Sequence, residues 1–255
     1  MQVCNFICIF AQMKLKTIHL EQTDSTNRWL REHMGEADAD ITVVTADYQT
    51  AGRGQGSNTW ESEQGKNLLF SMLVRPNYVP VQRQYLLSMT HALALYDTLS
   101  SYTDGISIKW PNDIYWHDRK ICGTLIELGI NSDGINSCIF GTGIDVNQRL
   151  FRSDAPNPVS LWQILGRETD LKEVLDKVIR CMQTRMDLLI NGRFEEISSN
   201  YHEHLYRREG LHSYRDDDGE FQARLIRVAD DGRLWLCDSQ GKERSYMFKE
   251  VAFVI

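Results

Sequence analysis

The chain has 255 residues, of which 42% are hydrophobic and 25% are charged, a composition typical of a globular protein with one large core or one large and one small core. Its formal net charge of −7 argues against a surface built for nucleic acid, although it leaves room for a local basic pocket. The six cysteines include no Cys-x-x-Cys pair, so they indicate buried thiols in a reducing compartment rather than a zinc or thioredoxin-type site.

The first twelve residues, MQVCNFICIFAQ, are apolar but too few to span a bilayer, and they lack the positive start and the cleavage site of a signal peptide. Met13 then stands directly before the first predicted strand. We therefore interpret residues 1–13 as an N-terminal extension, with residues 1–12 loosely attached and consistent with an upstream start codon. No other segment suggests a membrane span, which predicts a cytoplasmic protein without membrane contact.

Strand and helix patterns alternate between residues 14 and 208. Strands are predicted at 14–20, 41–48 and 67–74, and again in the runs ISIKW, DIYW, KICGTLIELGI and SCIFGTGIDVN between residues 106 and 147. Helices are predicted after the capping residues 24–27, from Pro80 to residue 102, over 170–190 and over 192–206. This order predicts an α/β domain.

The sequence pattern of the chain changes after Gly210. Short strands there alternate with Asp-Gly and Gln-Gly turns up to the last residue. The pattern predicts a small all-β module over residues 209–255, which is too small to be confidently stable alone. We expect it to be a small β-barrel that follows the α/β domain.

The stretch TADYQTAGRGQGSNTWES, residues 45–62, begins as a strand and continues as a glycine-rich loop around Arg53. Glycines let backbone N–H groups approach an anion, and the planar guanidinium of arginine suits a carboxylate or a phosphate. The loop is neither a P-loop nor a dinucleotide-binding turn, because it lacks the Gly-Lys-Ser/Thr ending and no helix pattern follows it.

A second unusual stretch is IKWPNDIYWHDRKICGTLIE, residues 108–127, where Asn112 and Asp113 occupy the turn between two strands. These two side chains suit a hydrated Mg²⁺, and Lys120 adds a compact positive charge. Together with Arg53 they suit a reaction between two anions, such as a carboxylate that attacks a nucleotide phosphate. The ordinary alternative is a solvated loop arginine, a strand-end lysine and a turn-forming aspartate.

Six motifs in order carry a resemblance to a known family: DSTN, YQTAGRGQGSNTW, KWPNDI, RKICGTLIE, GTGIDVN and FKEV. The chain resembles the biotin–protein ligases (biotin–[acetyl-CoA-carboxylase] ligases) from about residue 14 onward. The resemblance implies an α/β (α+β), class II synthetase-like catalytic domain with a mixed sheet and flanking helices over 14–208. It also implies an SH3-like C-terminal β-barrel over 209–255.

The family's reaction has two steps, and the resemblance implies both for this chain. Biotin's carboxylate attacks the α-phosphate of ATP in the presence of Mg²⁺, which gives biotinyl-5′-AMP and pyrophosphate. A lysine of a biotin carboxyl carrier protein or domain then attacks the mixed anhydride. No segment here matches the N-terminal DNA-binding domain of some members, so we expect no DNA binding.

The resemblance also implies roles for individual residues. Arg53 and Lys120 would be catalytic, and Asn112 and Asp113 would hold the metal. The biotin-binding set would be Ser25, Thr26, Asn27, Gln49, Gly52, Arg53, Gly54, Gln55, Lys120 and Gly123. The nucleotide-binding set would be Trp60, Lys109, Asn112, Asp113 and Asn147.

Some questions stay open at the level of sequence. Many family members have a second arginine where this chain has Gln55, so the loop either holds the adenylate less tightly or replaces ionic contacts by neutral hydrogen bonds. A lipoate–protein ligase and a non-catalytic biotin-binding module are the alternative functions. A monomer and a homodimer are both compatible with the pattern, because edge strands of the sheet offer pairing sites.

Overall fold

The computed structural model describes residues 13–36, 38–54, 56, 59–153 and 155–255. Its main feature is a seven-stranded mixed sheet with the spatial order β1-β2-β3-β7-β6-β5-β4. The strands are β1 (Leu15–Thr23), β2 (Ile41–Gln49), β3 (Leu68–Val74), β4 (Ile106–Lys109), β5 (Asp113–Trp116), β6 (Arg119–Asn131) and β7 (Gly134–Ile144). β1 runs parallel to β2, and the other neighbouring pairs are antiparallel, which confirms the predicted mixed α/β architecture.

Helices cover both faces of this sheet. They are α1 (Thr26–Glu32), α2 (Tyr85–Ser100), α3 (Leu161–Leu165), α4 (Leu171–Ile190) and α5 (Phe194–Glu203). Successive residues of a strand point to opposite faces, so Val43 joins the large core beneath α2 and α4, while Val44 packs with Leu30 of α1. The burial of both faces explains why β2 and β3 appear in the sequence as continuous apolar runs.

The C-terminal module is a second, antiparallel sheet of five strands. They are β8 (His212–Asp216), β9 (Gly219–Val228), β10 (Leu234–Asp238), β11 (Glu243–Tyr246) and β12 (Ala252–Phe253). Their order is β11-β10-β9-β8-β12, and no pairing among the described residues closes the sheet. The all-β module is therefore confirmed, but the described strands form an open sheet rather than the closed barrel that the resemblance implied.

The module packs on the turn between β4 and β5. Trp110 donates its Nε1–H to the carbonyl oxygen of Gly232 at 2.9 Å, and its ring lies 6.2 Å from that of Phe248. The amide of Tyr85 also donates to the carbonyl oxygen of Asp230 at 3.3 Å. These contacts hold the β9–β10 and β11–β12 turns against the KWPND turn and the start of α2, and the buried core is continuous between the two sheets.

Several boundaries differ from the sequence prediction. Residues Val81–Arg83 form a 3-10 turn, and α2 itself starts at Tyr85 rather than directly after Pro80. The short helix α3 was not predicted, and Ser160 begins it with a capping box to Gln163. Residues 1–12 and Gln55 lie outside the described residues. None of the helices in the described part of the chain has the length and apolar character that crossing a membrane requires.

Candidate active site

A cavity of about 990 Å³ lies between the end of β2, the glycine loop, the β4–β5 turn, β6, β7 and the C-terminal residues. It brings together the two unusual sequence stretches, residues 45–62 and 108–127. The predicted site residues that line it are Ser25, Thr26, Asn27, Gln49, Arg53, Gly54, Trp60, Lys109, Asn112, Asp113, Lys120 and Gly123. Gly52 lies directly beside the cavity, where its carbonyl oxygen accepts a hydrogen bond from the amide of Trp60 at 3.1 Å.

One end of the cavity is a neutral network of Thr26, Asn27, Gln49 and Ser71, here called the hydroxyl–amide end. Gln49 Oε1 accepts hydrogen bonds from the amide of Thr26 at 2.8 Å and from its Oγ1 at 3.1 Å. Ser71 Oγ, fully buried on β3, lies 2.7 Å from Thr26 Oγ1 and also hydrogen-bonds Asn27 Oδ1. The network fixes these side chains before any ligand binds.

Gly141 explains how Asn27 fits at this end. A Cβ built on Gly141 would lie 1.9 Å from Asn27 Oδ1, so the amide of Asn27 packs closely against the backbone of β7. The glycine is required for this close approach, because real Cβ atoms do not tolerate such a distance.

The cavity wall also carries four basic side chains, Arg53, Lys109, Lys120 and Lys249, here called the cationic end. Lys120 Nζ lies 2.7 Å from Asp113 Oδ1. Lys109 Nζ lies 4.7 Å from the ring centre of Phe253 and 5.2 Å from that of Tyr115. Burial lowers the pKa of Lys109, and the nearby carboxylate of Asp113 opposes that shift.

The β4–β5 turn is held in place by hydrogen bonds to β6. Asn112 donates its Nδ2–H to the carbonyl oxygen of Thr124, and the amide of Thr124 donates to the carbonyl oxygen of Asn112 at 3.1 Å. A bulge in the β5–β6 pairing lies close to Lys120. Together these features bring Asp113 and Lys120 to the same wall of the cavity.

Trp60 forms the cover between the two ends. A Cβ built on Gly143 would lie 2.3 Å from Trp60 Cε2, so the indole rests directly on the backbone of β7. Lys120 Nζ lies 5.7 Å from the ring centre, within the range of a cation–π contact. The Nε1–H of Trp60 is buried and has no hydrogen-bond partner in the described chain, which leaves a donor for a ligand.

Sequence reasoning missed several side chains at or near the cavity. Asp145 lies in the cavity wall, its Oδ1 has no partner among the described residues, and burial raises the pKa of its carboxyl group well above the usual range. His91 Nε2 lies 2.9 Å from Oγ1 of Thr142, and burial lowers the pKa of this imidazole to about 3, so it is neutral at pH 7. Asp145 stands two residues after Gly143, and strand alternation in GTGIDVN was the signal that could have found it.

Asn147 has a different place from the other predicted residues. It does not line the cavity, and both ends of its amide bind the backbone of Thr169, with Nδ2 donating at 2.8 Å and Oδ1 accepting at 2.9 Å. In this arrangement Asn147 links the end of β7 to the segment before α4. The adenine contact that the resemblance implied stays a prediction.

Both the sequence and the fold are similar to those of known proteins. Residues 19–145 match the family model described as the biotin/lipoate A/B protein ligase family. The biotin–[acetyl-CoA-carboxylase] ligase of Paracoccus denitrificans is 30% identical over 164 residues, which cover 62% of this chain and 67% of that protein. The chain belongs to this ligase family.

Other family members cover more of the chain. The bifunctional ligase/repressor BirA of Bacillus subtilis is 29% identical over 236 residues, which cover 90% of this chain and 71% of the relative. A solved structure of the biotin protein ligase from Aquifex aeolicus in complex with biotin and ATP has a TM-score of 0.76 and 27% identity. The match covers 93% of this chain and 97% of that one, so the ligase fold includes both sheets.

Proposed function

We propose that this chain is a biotin–protein ligase that uses ATP to form biotinyl-5′-AMP and then transfers biotin to a lysine of a carrier domain. The observation that carries the proposal is one cavity that is lined both by a neutral hydrogen-bonding network and by four cations. The ligase relatives and the structural similarity to a protein that binds biotin and ATP support the same function.

The hydroxyl–amide end suits the ureido ring of biotin. That ring is neutral and has both donors and an acceptor, and Ser25, Thr26, Asn27 and Gln49 supply the complementary hydroxyl and amide groups. Gly123 lets Lys120 and Trp60 lie against the backbone of β6, since a Cβ built there would lie 2.9 Å from Lys120 Nζ and 3.1 Å from Trp60 Cζ3. In this orientation the valerate chain of biotin extends toward Lys120.

The cationic end suits the chemical step. A carboxylate oxygen of biotin attacks the α-phosphorus of ATP, and the bond to the bridging oxygen breaks so that pyrophosphate leaves. Lys120 and Arg53 reduce the repulsion between the two anions and stabilise the charge that grows on the phosphate oxygens. The attacking lysine of the carrier then loses a proton, its nitrogen bonds to the carbonyl carbon, and AMP leaves.

We further propose that Asn112 and Asp113 hold Mg²⁺ together with phosphate oxygens of ATP. The donor set fits, because Mg²⁺ takes one or two carboxylates with substrate phosphates, and Asp113 lies in the cavity wall. No group of three or more His, Cys, Asp or Glu side chains able to hold a metal occurs among the described residues. Phosphate oxygens of the nucleotide and water would therefore supply most of the ligands of the ion. The ion would neutralise charge on the triphosphate.

The proposal extends to partners and location. We propose a biotin carboxyl carrier domain of an acyl-CoA carboxylase as the acceptor, with residues 14–208 as the catalytic unit and 209–255 as its C-terminal unit. Cys122, Cys138, Cys181 and Cys237 are free thiols, which fits a reducing compartment such as the cytoplasm.

The test is to incubate the purified protein with Mg-ATP and either biotin or lipoate. Pyrophosphate release and the mass of the adenylate would be followed together, with Lys120→Ala as the impaired control. Biotinyl-5′-AMP from the wild type supports the proposal. Lipoyl-AMP would overturn the choice of substrate, and biotin binding without any adenylate would favour a non-catalytic binding module.

A further inference from the structure

Lys249 occupies an unusual position in the turn between β11 and β12. The amide of Glu250 donates to the carbonyl oxygen of Met247 at 3.1 Å, and the Glu250 carboxylate accepts from the amide of Met247 at 2.6 Å. Lys249 stands at the third position of this four-residue turn with a φ of 72°. Glycine or asparagine is normal at such a position, because a side chain strains the left-handed conformation.

The strained turn directs the lysine toward the cavity. Lys249 is one of the residues that line it, although it lies in the C-terminal module. A Cβ built on Gly56 would lie 2.5 Å from Lys249 Nζ, so the ammonium group is directly beside the glycine loop. Gly56 itself has a φ of 68°, and a larger residue there would meet both backbone strain and this lysine.

Lys249 also differs from the other lysines of the cationic end in its lack of a partner. Lys120 is paired with Asp113, and Lys109 packs on two aromatic rings. Within the described part of the chain, the side chains of Lys249 and Arg53 have neither an ion pair nor a hydrogen bond. Two cations therefore face the cavity without a counterion among the described residues.

The neighbours of Lys249 belong to the cationic end of the cavity rather than to the hydroxyl–amide end. Phe248, the residue before it, packs on Trp110 of the β4–β5 turn, and Phe253 covers Lys109. The hydroxyl–amide end is formed by α1, β2 and β3, and the C-terminal module contributes no side chain to its hydrogen bonds. An anion that reaches Lys249 would therefore be part of the nucleotide rather than of biotin's ring.

We propose that Lys249 binds the β- and γ-phosphates of ATP, the part that leaves as pyrophosphate, so that the C-terminal module completes the nucleotide site. The inference rests on the proposed function, and it adds a binding residue to it. The triphosphate is the most highly charged part of the substrates, and a free ammonium group is the complement that the wall offers it. The strained backbone of Lys249 is then retained because it aims this charge.

The test compares Lys249→Gly, Lys249→Arg and the control Lys242→Ala, which changes an exposed lysine of the same module outside the cavity. We expect Lys249→Gly to weaken binding of ATP about tenfold, as the loss of one charged hydrogen bond would, with biotin affinity unchanged. Its melting temperature should be equal to or above that of the wild type, because glycine relieves the strain. Lys249→Arg should retain most of the affinity, and Lys242→Ala should bind like the wild type.

Binding is measured by calorimetry with α,β-methylene-ATP, which cannot lose pyrophosphate, at low and high KCl. The wild type should lose more affinity with added salt than Lys249→Gly does, because it has one more ionic contact. Equal ATP affinities of wild type and Lys249→Gly would overturn the inference, as would an equal loss of ATP and biotin affinity. Since binding is measured without turnover, this result stands apart from whether the wild type forms biotinyl-5′-AMP.

Discussion

The two ends of the cavity differ in how far their polar groups are satisfied before a ligand arrives. At the hydroxyl–amide end, Thr26, Asn27, Gln49 and Ser71 already hydrogen-bond one another. Around the cationic end, Trp60 Nε1 and Asp145 Oδ1 are buried without a partner in the described chain. The side chains of Arg53 and Lys249 have none there either.

The difference indicates two kinds of binding. A pre-paired network is rigid, so it selects a ligand by shape and by hydrogen-bond pattern at little ordering cost. Unsatisfied charges and buried polar atoms raise the free energy of the ligand-free protein. A ligand that pairs with these groups removes that cost, which favours binding. We therefore expect substitutions at the cationic end to affect ATP binding and the reaction rate, and those at the hydroxyl–amide end to affect biotin affinity.

The largest effect is expected for Lys120→Ala. Removal of the ammonium takes away charge stabilisation at the reacting phosphate and leaves Asp113 without its partner, so kcat for biotinyl-5′-AMP formation should fall about 10²–10³-fold. Pyrophosphate release under saturating substrates measures it. Lys172→Ala, at an exposed ion pair on α4, should keep the wild-type rate. A kcat within twofold of the wild type would remove Lys120 from the mechanism.

Gly143→Ala tests the cover formed by Trp60. The added Cβ would lie 2.3 Å from the indole, so the ring must move and kcat/KM for adenylation should fall about 10²-fold. Gly35→Ala is the matched control, since no atom lies within 4 Å of its built Cβ. Unchanged kinetics in a folded Gly143→Ala protein would show that the position of Trp60 does not matter.

Ser71→Ala tests the hydroxyl–amide end. It removes one hydroxyl from the network that holds Thr26 and Asn27, so KM for biotin should rise about tenfold while KM for ATP stays constant. Ser100→Ala provides the control, because the Ser100 hydroxyl is buried without a hydrogen-bond partner in the described chain. A parallel rise in both KM values would contradict the division of the cavity into two ends.

The smallest effect is expected for Asp145→Asn, and it concerns stability. Burial gives the carboxyl group a higher pKa in the folded than in the unfolded chain, where it is near 3.8. The folded state therefore holds the proton more tightly, and its stability falls as the pH rises above that value. Replacement by asparagine should remove this loss, so the variant gains about 1 kcal/mol at neutral pH, equivalent to about 2–4 °C in melting temperature.

Urea unfolding of the ligand-free protein near pH 4 and near pH 8 measures the effect. The gain of Asp145→Asn should be small near pH 4 and larger near pH 8, while Asp133→Asn, in an exposed turn, should show no such trend. A variant that is less stable than the wild type near pH 8 would mean that the carboxylate has a stabilising partner when ionised.

Local patterns predicted most of the elements. The apolar runs at 41–48 and 67–74 became β2 and β3, and the amphipathic pattern at 170–190 became α4. The order of the strands was not predictable, because β3 pairs with β7 across a long stretch of intervening chain. The short helix α3 was missed since five residues carry too little periodicity.

The site shows the same limit. Arg53, Asp113 and Lys120 were found because glycines and turn formers marked their loops, and the structure brings them to one cavity. The contact of Trp60 with Gly143 and the turn of Lys249 depend on packing between distant segments, which no local pattern encodes. The side-chain amide of Asn147 hydrogen-bonds the backbone of Thr169, and the motif GTGIDVN gave no sign of that partner.

The most direct test of the two-ended cavity is an experimental structure of the complex with biotin and α,β-methylene-ATP, which cannot lose pyrophosphate. We predict the ureido ring against Thr26, Asn27 and Gln49, the biotin carboxylate near Lys120, and the outer phosphates within hydrogen-bond distance of Lys249. A triphosphate bound at the hydroxyl–amide end, or a biotin ring stacked among the cations, would contradict the account.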